Sequence, residues 1–163
     1  MTAAANRRGI ESSAPGLIRL SCARAEPIGV LVGDVDHFKR VNDTYGHPVG
    51  DDVLQAVVDA IRSCVRTEDL VARLGGEEFA VLTVLPPDRL TALAERVRAA
   101  VADQCSPWDV TVSLGVVWAD ACEPIAEQDL NRIWALIDQA DELMYEAKQA
   151  GRNRVHALPV PQR

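Results

Sequence analysis

Three short stretches of the chain carry side chains that can do chemistry together. The first is Asp34-Val35-Asp36-His37-Phe38-Lys39, where two acids close an apolar run. Magnesium takes oxygen ligands and is often held by one or two carboxylates plus substrate phosphates, so an acid at a rigid strand end suits it. The second is Gly75-Gly76-Glu77-Glu78-Phe79. Adjacent carboxylates repel unless a cation lies close, and glycine lets backbone approach a ligand. The third pairs Lys148 with Arg152 in Gly151-Arg152-Asn153, a pair of cations suited to phosphate. Each stretch also has a plainer description. Asp-x-Asp fits a solvated turn, Gly-Gly an exposed hairpin, and cations near a helix C-terminus simply answer the helix dipole. The combination favours chemistry, because a hairpin beside the first strand brings both acid pairs to one edge.

The elements that must position these groups follow from periodicity. Residues 28–35 are a short β-branched apolar run and predict a buried strand. Leu54, Val57, Val58, Ile61 and Val65 form one helical stripe, with Asp51 and Asp52 expected in its first turn. Residues 70–74 and 78–85 predict strands joined by a Gly75-Gly76 hairpin. Pro87 opens a second helix with Leu90, Leu93, Ala94, Val97 and Val101 inward. A strand over 109–118 precedes a long helix marked by Leu130, Ile133, Trp134, Ile137, Ala140 and Met144 and stopped by Gly151. Residues 153–158 suggest a last short strand. Residues 9–27, with Ser12, Ser13, Pro15, Gly16 and Pro27, read as a short helix and a connecting segment. The order β-α-β-β-α-β-α-β places the chain in the α/β (α+β) class, with helices expected on one face of a central sheet. His47 is expected to shape the loop after Tyr45-Gly46, Asp36 and Asp43 to support or cap, and Trp108, Trp118 and Trp134 to serve as apolar packing.

The 163 residues suit one domain over 1–158 with a flexible tail at 159–163. A net charge of −7 argues against a general DNA or RNA binder, which carries a basic face. Apolar content of 48% with 25% charged residues predicts a folded chain. No apolar run approaches the ~20 residues of a membrane span, and no signal peptide is recognisable. Cys22, Cys64, Cys105 and Cys122 are scattered without a CxxC pair and read as reduced thiols of a cytoplasmic protein. There is no Walker or GxGxxG loop.

Four blocks then fall in order: DVDHFKRVNDTYGHPVGDDVL (34–54), RLGGEEF (73–79), VTVSLGV (110–116) and YEAKQAGRNRV (145–155). From Asn6 to about Val155 the chain resembles the GGDEF family, the diguanylate cyclases, with the signature in its GGEEF form. The resemblance implies a palm-like, mostly antiparallel sheet surrounded by helices, as in polymerase palms and class III nucleotidyl cyclases. It implies two GTP condensed into cyclic di-GMP plus two pyrophosphates across a homodimer. It also implies Mg2+, or Mn2+ in its place, held by Asp34, the Val35 carbonyl, Glu77 and Glu78, with Asp34, Glu77 and Glu78 needed for catalysis. Asn42 and Asp51 match the guanine-reading pair. Lys148 and Arg152 match the residues that hold the β and γ phosphates, joined by backbone amides near His37 and Phe38 and by the Lys39 side chain. Arg66-Thr67-Glu68-Asp69 stands five residues before Gly75, the family's position for an RxxD site where product inhibits. There Arg66 and Asp69 would bind cyclic di-GMP; the plainer description is a surface ion pair, worth little.

Two departures qualify the match. The family opens with DxLTGLxNRR, whereas this chain reads MTAAANRR. Met1-Thr2 align with Leu-Thr, the leading acid is absent, and Ala3-Ala4-Ala5 replace the turn, which implies a truncated first motif, no preceding sensor and weaker support near Arg152. Gly33 stands where the family carries a bulky apolar residue, and glycine weakens a strand interior. These departures keep open a catalytically weak or inactive module that binds GTP or cyclic di-GMP. A single-nucleotide cyclase or polymerase-like palm is a further class, disfavoured by the guanine pair.

Overall fold

Alternation along one strand organises the molecule. The computed structural model describes residues 4–120 and 128–158. The central strand, β1 (Ile28–Val35), is buried along its whole length. Leu31 and Val35 join a core with helices α2 (Phe38–Tyr45), α3 (His47–Cys64) and α4 (Pro87–Gln104). Val30 and Val32 join a second core with α1 (Arg7–Arg24) and α5 (Gln128–Gln149). A strand buried on both faces reads as a continuous apolar run rather than an alternating one.

The remaining strands are β2 (Leu70–Gly75), β3 (Glu78–Val84), β4 (Val112–Ala119) and β5 (Val155–Ala157), in the sheet order β2-β3-β1-β4-β5. β1 runs antiparallel to both β3 and β4, with Asp34 opposite Glu78 on one side and Ser113 on the other. Among the described strands, β5 alone pairs in parallel, against β4. The sheet is therefore mostly antiparallel with helices around it, as the resemblance implies.

The structure corrects four expectations. Helices cover both faces, not one, since the two cores lie on opposite sides of β1. Residues 9–27 are not a short helix and a connector: α1 is continuous for 18 residues through Pro15. Burial of Ile10, Ala14, Leu17, Ile18 and Ser21 on one stripe outweighs the lost hydrogen bond of the internal proline. Residues 38–45 form a helix of their own, α2. Finally, α3 begins at His47, so His47 opens a helix rather than shaping a loop, and Asp51 lies beyond the first turn. Pro48 explains the early start, because its fixed φ and missing N–H suit a helix N-terminus.

Two features hold the edges. Ala5 hydrogen-bonds to Val71 and Arg73, extending the outer edge of β2 with the segment that precedes α1. Leu114 reaches across to Gly33, where an added Cβ would stand 2.5 Å from it. A neighbouring side chain thus fills the space left by the interior glycine. The alignment of Met1-Thr2, the residue Cys122 and the tail 159–163 lie outside the described residues.

Helix α5 seats on the sheet at Gly115, where a Cβ would meet the Ala140 carbonyl oxygen at 1.8 Å. Backbone cannot yield as a side-chain tip can, so overpacking here shifts the whole helix. Gly115→Ala is expected to lower stability by about 2 kcal/mol or more in urea denaturation. Gly75→Ala, with nothing within 4 Å of its added Cβ, should stay within about 0.5 kcal/mol.

Candidate active site

The site forms where β1 ends beside the β2–β3 hairpin. Val35 N–H donates to the Glu77 carbonyl at 3.3 Å, and the Asp34 Cα pairs with that of Glu78. This register carries both glutamates of the hairpin to the end of the central strand. The Arg73 guanidinium donates to the Gly76 carbonyl and so braces the turn, next to a register shift between Arg73 and Gly75. Arg73 escaped the sequence reading; its signal was a cation two residues before the Gly-Gly pair.

Asp34 is nearly inaccessible, and the Lys148 ammonium lies 2.8 Å from its Oδ1. Lys148 comes from the last turn of α5, the helix that Gly115 admits to the sheet. Burial pushes the Asp34 carboxyl up from 3.8 to about 6; Lys148 pulls it down, and Glu77 and Glu78 push it up again. Desolvation wins because a strand end covered by a helix offers little water to the charge. Among the described residues, no three acidic, histidine or cysteine side chains form a metal cage by themselves. One buried carboxylate with two half-buried glutamates beside it still fits a hard divalent cation that takes its other ligands from phosphate.

The residues that the resemblance assigns to guanine reading lie on α2 and α3. Gly46, at φ 86°, makes the bend between the two helices, and its N–H donates to the Asn42 carbonyl at 2.9 Å. The Asn42 amide then lies directly over Gly50, where an added Cβ would fall 1.9 Å from its Oδ1. Asn42 is thereby brought against the residue preceding Asp51, whose side chain is exposed. His37 sits in the left-handed region at φ 56° and caps α2 without a side-chain hydrogen bond. Phe38 is buried beneath, and Lys39 is exposed in the first turn.

Arg152 is exposed on the turn after α5. Asp36 is buried, and its carboxylate accepts from Thr111 Oγ1 at 2.7 Å, Ser113 Oγ at 2.7 Å and Asn153 N–H at 3.1 Å. Its supporting role is realised, whereas Asp43 stands exposed on α2. The three tryptophans are half-buried against the cores, and the Arg7 guanidinium stacks 4.5 Å over the Trp134 ring.

A second cleft contains Arg66, Arg89, Arg96, Asp69, Leu85 and Leu93. Asp69 accepts from the Arg66 backbone N–H at 2.8 Å and from the Thr83 hydroxyl, so neutral donors fix its carboxylate. The Arg66 side chain is exposed. The two residues are therefore neighbours in one cleft, linked through backbone.

The family model described as "Diguanylate cyclase, GGDEF domain" matches residues 1–154. The chain is 43% identical over 148 residues to the probable diguanylate cyclase DgcT of Escherichia coli, covering 85% of this chain and 31% of that protein. It is 40% identical over 144 residues to diguanylate cyclase A of Treponema denticola, covering 85% and 37%. The chain thus spans about a third of the length of these relatives. Among solved structures, the coiled coil and GGDEF domain of DgcB from Caulobacter crescentus, in complex with c-di-GMP, superposes with a TM-score of 0.80. Identity there is 27%, covering 96% of this chain and 83% of that one. The active GGEEF domain of a diguanylate cyclase from Vibrio cholerae gives a TM-score of 0.81 at 24% identity, over 96% and 98%, a likeness of fold. No helix among the described residues is long and apolar enough to cross a membrane.

Because the folded Asp34 carboxyl sits above its ordinary value, ionising it costs the folded state. Its stabilising contribution is full below pH 3.8 and is lost as pH rises through about 6. Relative to Asp34→Asn, wild type should lose roughly 3 kcal/mol over that window in urea denaturation with chelator present. A pH-independent difference would contradict the assigned environment.

Proposed function

Since the chain belongs to the GGDEF family, we propose that it is a diguanylate cyclase, condensing two GTP into cyclic di-GMP and two pyrophosphates. The observation that carries this reading is the buried Asp34 carboxylate, paired with Lys148 and set beside Glu77 and Glu78. Asp34, the Val35 carbonyl, Glu77 and Glu78 would hold magnesium, or manganese in its place. When bound, that ion neutralises charge developing on the phosphates and lowers the pKa of an attacking hydroxyl.

The chain's own groups do the rest. Asn42 and Asp51 read guanine: a carboxylate accepts from N1–H and the exocyclic amine, and an amide donates to O6 or N7. Adenine lacks that pattern, so each mismatch leaves polar groups unpaired. Backbone amides at the start of α2, with Lys39, meet the phosphates. Lys148 and Arg152 hold the β and γ phosphates. Arriving phosphates compete with Asp34 for the Lys148 ammonium, and drawing it away would free the carboxylate for the cation.

Two such sites face each other about a twofold axis, which suits a product with two equivalent linkages. Each 3′ oxygen forms a bond to the other nucleotide's α-phosphorus as the bond to pyrophosphate breaks, and the hydroxyl proton is lost. Positioning and charge stabilisation supply most of the acceleration. Cyclic di-GMP returns to Arg66 and Asp69, where the guanidinium fork and the carboxylate are set to meet guanine edges.

Purified protein incubated with GTP and magnesium is expected to yield cyclic di-GMP on chromatography. Glu78→Ala should cut the rate on the order of 100-fold or more with an unchanged circular dichroism spectrum. Cyclic GMP as product, or nucleotide binding with no product, would favour the single-nucleotide cyclase or the binding module instead. Arg66→Ala should weaken inhibition by added cyclic di-GMP by about tenfold or more, read from initial rates.

A further inference from the structure

The turn after α5 is held in a costly conformation. Gly151, Arg152 and Asn153 have φ of 118°, 62° and 46°, three successive residues in the left-handed region. Two of them carry side chains, and such positions persist only where surroundings over-determine them. Part of the support comes from α5 itself: Gly151 N–H donates to Lys148 O at 3.3 Å and Arg152 N–H to Ala147 O at 3.1 Å. On the outer side, Arg98 Nη1 donates to Asn153 Oδ1 at 2.9 Å.

The link to the rest of the site is Asp36. Its Oδ2 accepts from Asn153 N–H and from Thr111 Oγ1, and its Oδ1 from Ser113 Oγ. Asp36 N–H also donates to the Thr111 carbonyl at 2.9 Å. Asp36 lies two residues beyond Asp34 on the same chain, and Asn153 directly follows Arg152. The carboxylate therefore ties the strand end that carries Asp34 to the turn that carries Arg152. Its donors are two hydroxyls and an amide, so its role is one of direction and reach.

We propose that Asp36 is a positioning residue that holds the turn carrying Arg152 in place relative to the Asp34 carboxylate, and so sets how well Arg152 meets the nucleotide's phosphates. It acts through Asn153 N–H and does not touch substrate. The inference rests on the proposed nucleotide site but not on turnover.

The test is a double-mutant cycle read by calorimetric binding of 3′-deoxy-GTP with magnesium, an analogue that has no 3′-hydroxyl and so forms neither linkage. Asp36→Asn should weaken binding at least tenfold when Arg152 is present and less than twofold in an Arg152→Ala background. Equal losses in both backgrounds would mean a merely structural role and overturn the inference. If Asp36→Asn does not fold, the α-hydroxy analogue of asparagine at position 153 removes the N–H donor and keeps the Asp36 carboxylate, at the cost of a weaker Arg152 carbonyl acceptor. It should give the same Arg152-dependent loss, and unchanged binding would overturn the inference. Wild type that binds the analogue but makes no cyclic di-GMP from GTP would count against the cyclase reading while the cycle still decides on Asp36. Wild type that binds no analogue would overturn both.

Discussion

The site depends on a carboxylate kept largely out of water. Asp34 lies one residue before the end of the central strand, and its charge is answered by the Lys148 ammonium of α5. Two hairpin glutamates raise its cost further. Among the described residues, one cation paired with Asp34 against that carboxylate and two further acids leaves the locality short of positive charge. That deficit is what makes a divalent ion welcome. On the proposed function Lys148 has two competing partners, the carboxylate and a phosphate, so cation and nucleotide are expected to arrive as one unit.

Everything else in the fold serves to hold that constraint in place. Strand β1 is buried on both sides, so its end cannot drift. Gly115 lets α5 approach the sheet closely enough for Lys148 to reach Asp34. The Val35–Glu77 hydrogen bond and the Arg73 brace fix the hairpin tip. Asp36 ties the turn after α5 back to the strand. Apart from the Arg73 brace, these contacts join parts of the chain far apart in sequence.

Much of this was legible in the sequence, for identifiable reasons. Strand β1 and the hairpin carried strong local signals: a β-branched run, then paired glycines between two apolar segments. Helices α4 and α5 showed clear stripes. Helix α1 was hidden because Pro15 and the serines argue locally for a break, whereas the burial that overrides them is tertiary. Helix α2 was hidden inside a stretch rich in polar residues, and only Phe38 and Val41 anchor it. The placement of helices on both faces could not be read from single stripes, because a stripe does not say which side of a sheet it covers. The acids Asp34, Glu77 and Glu78 could be named from type and spacing. Their mutual register, the position of Lys148 and the three donors on Asp36 needed the fold.

The central claim, that Lys148 and the cation compete for Asp34, is tested most directly by manganese binding followed by electron paramagnetic resonance. Wild type and Lys148→Met would be compared with and without 3′-deoxy-GTP. The account predicts that Lys148→Met binds manganese alone more tightly than wild type, by about tenfold, as expected when one competing charge at ~1.4 kcal/mol is removed. It also predicts weaker binding of the nucleotide by the variant. Equal manganese affinity in the two proteins would contradict the account.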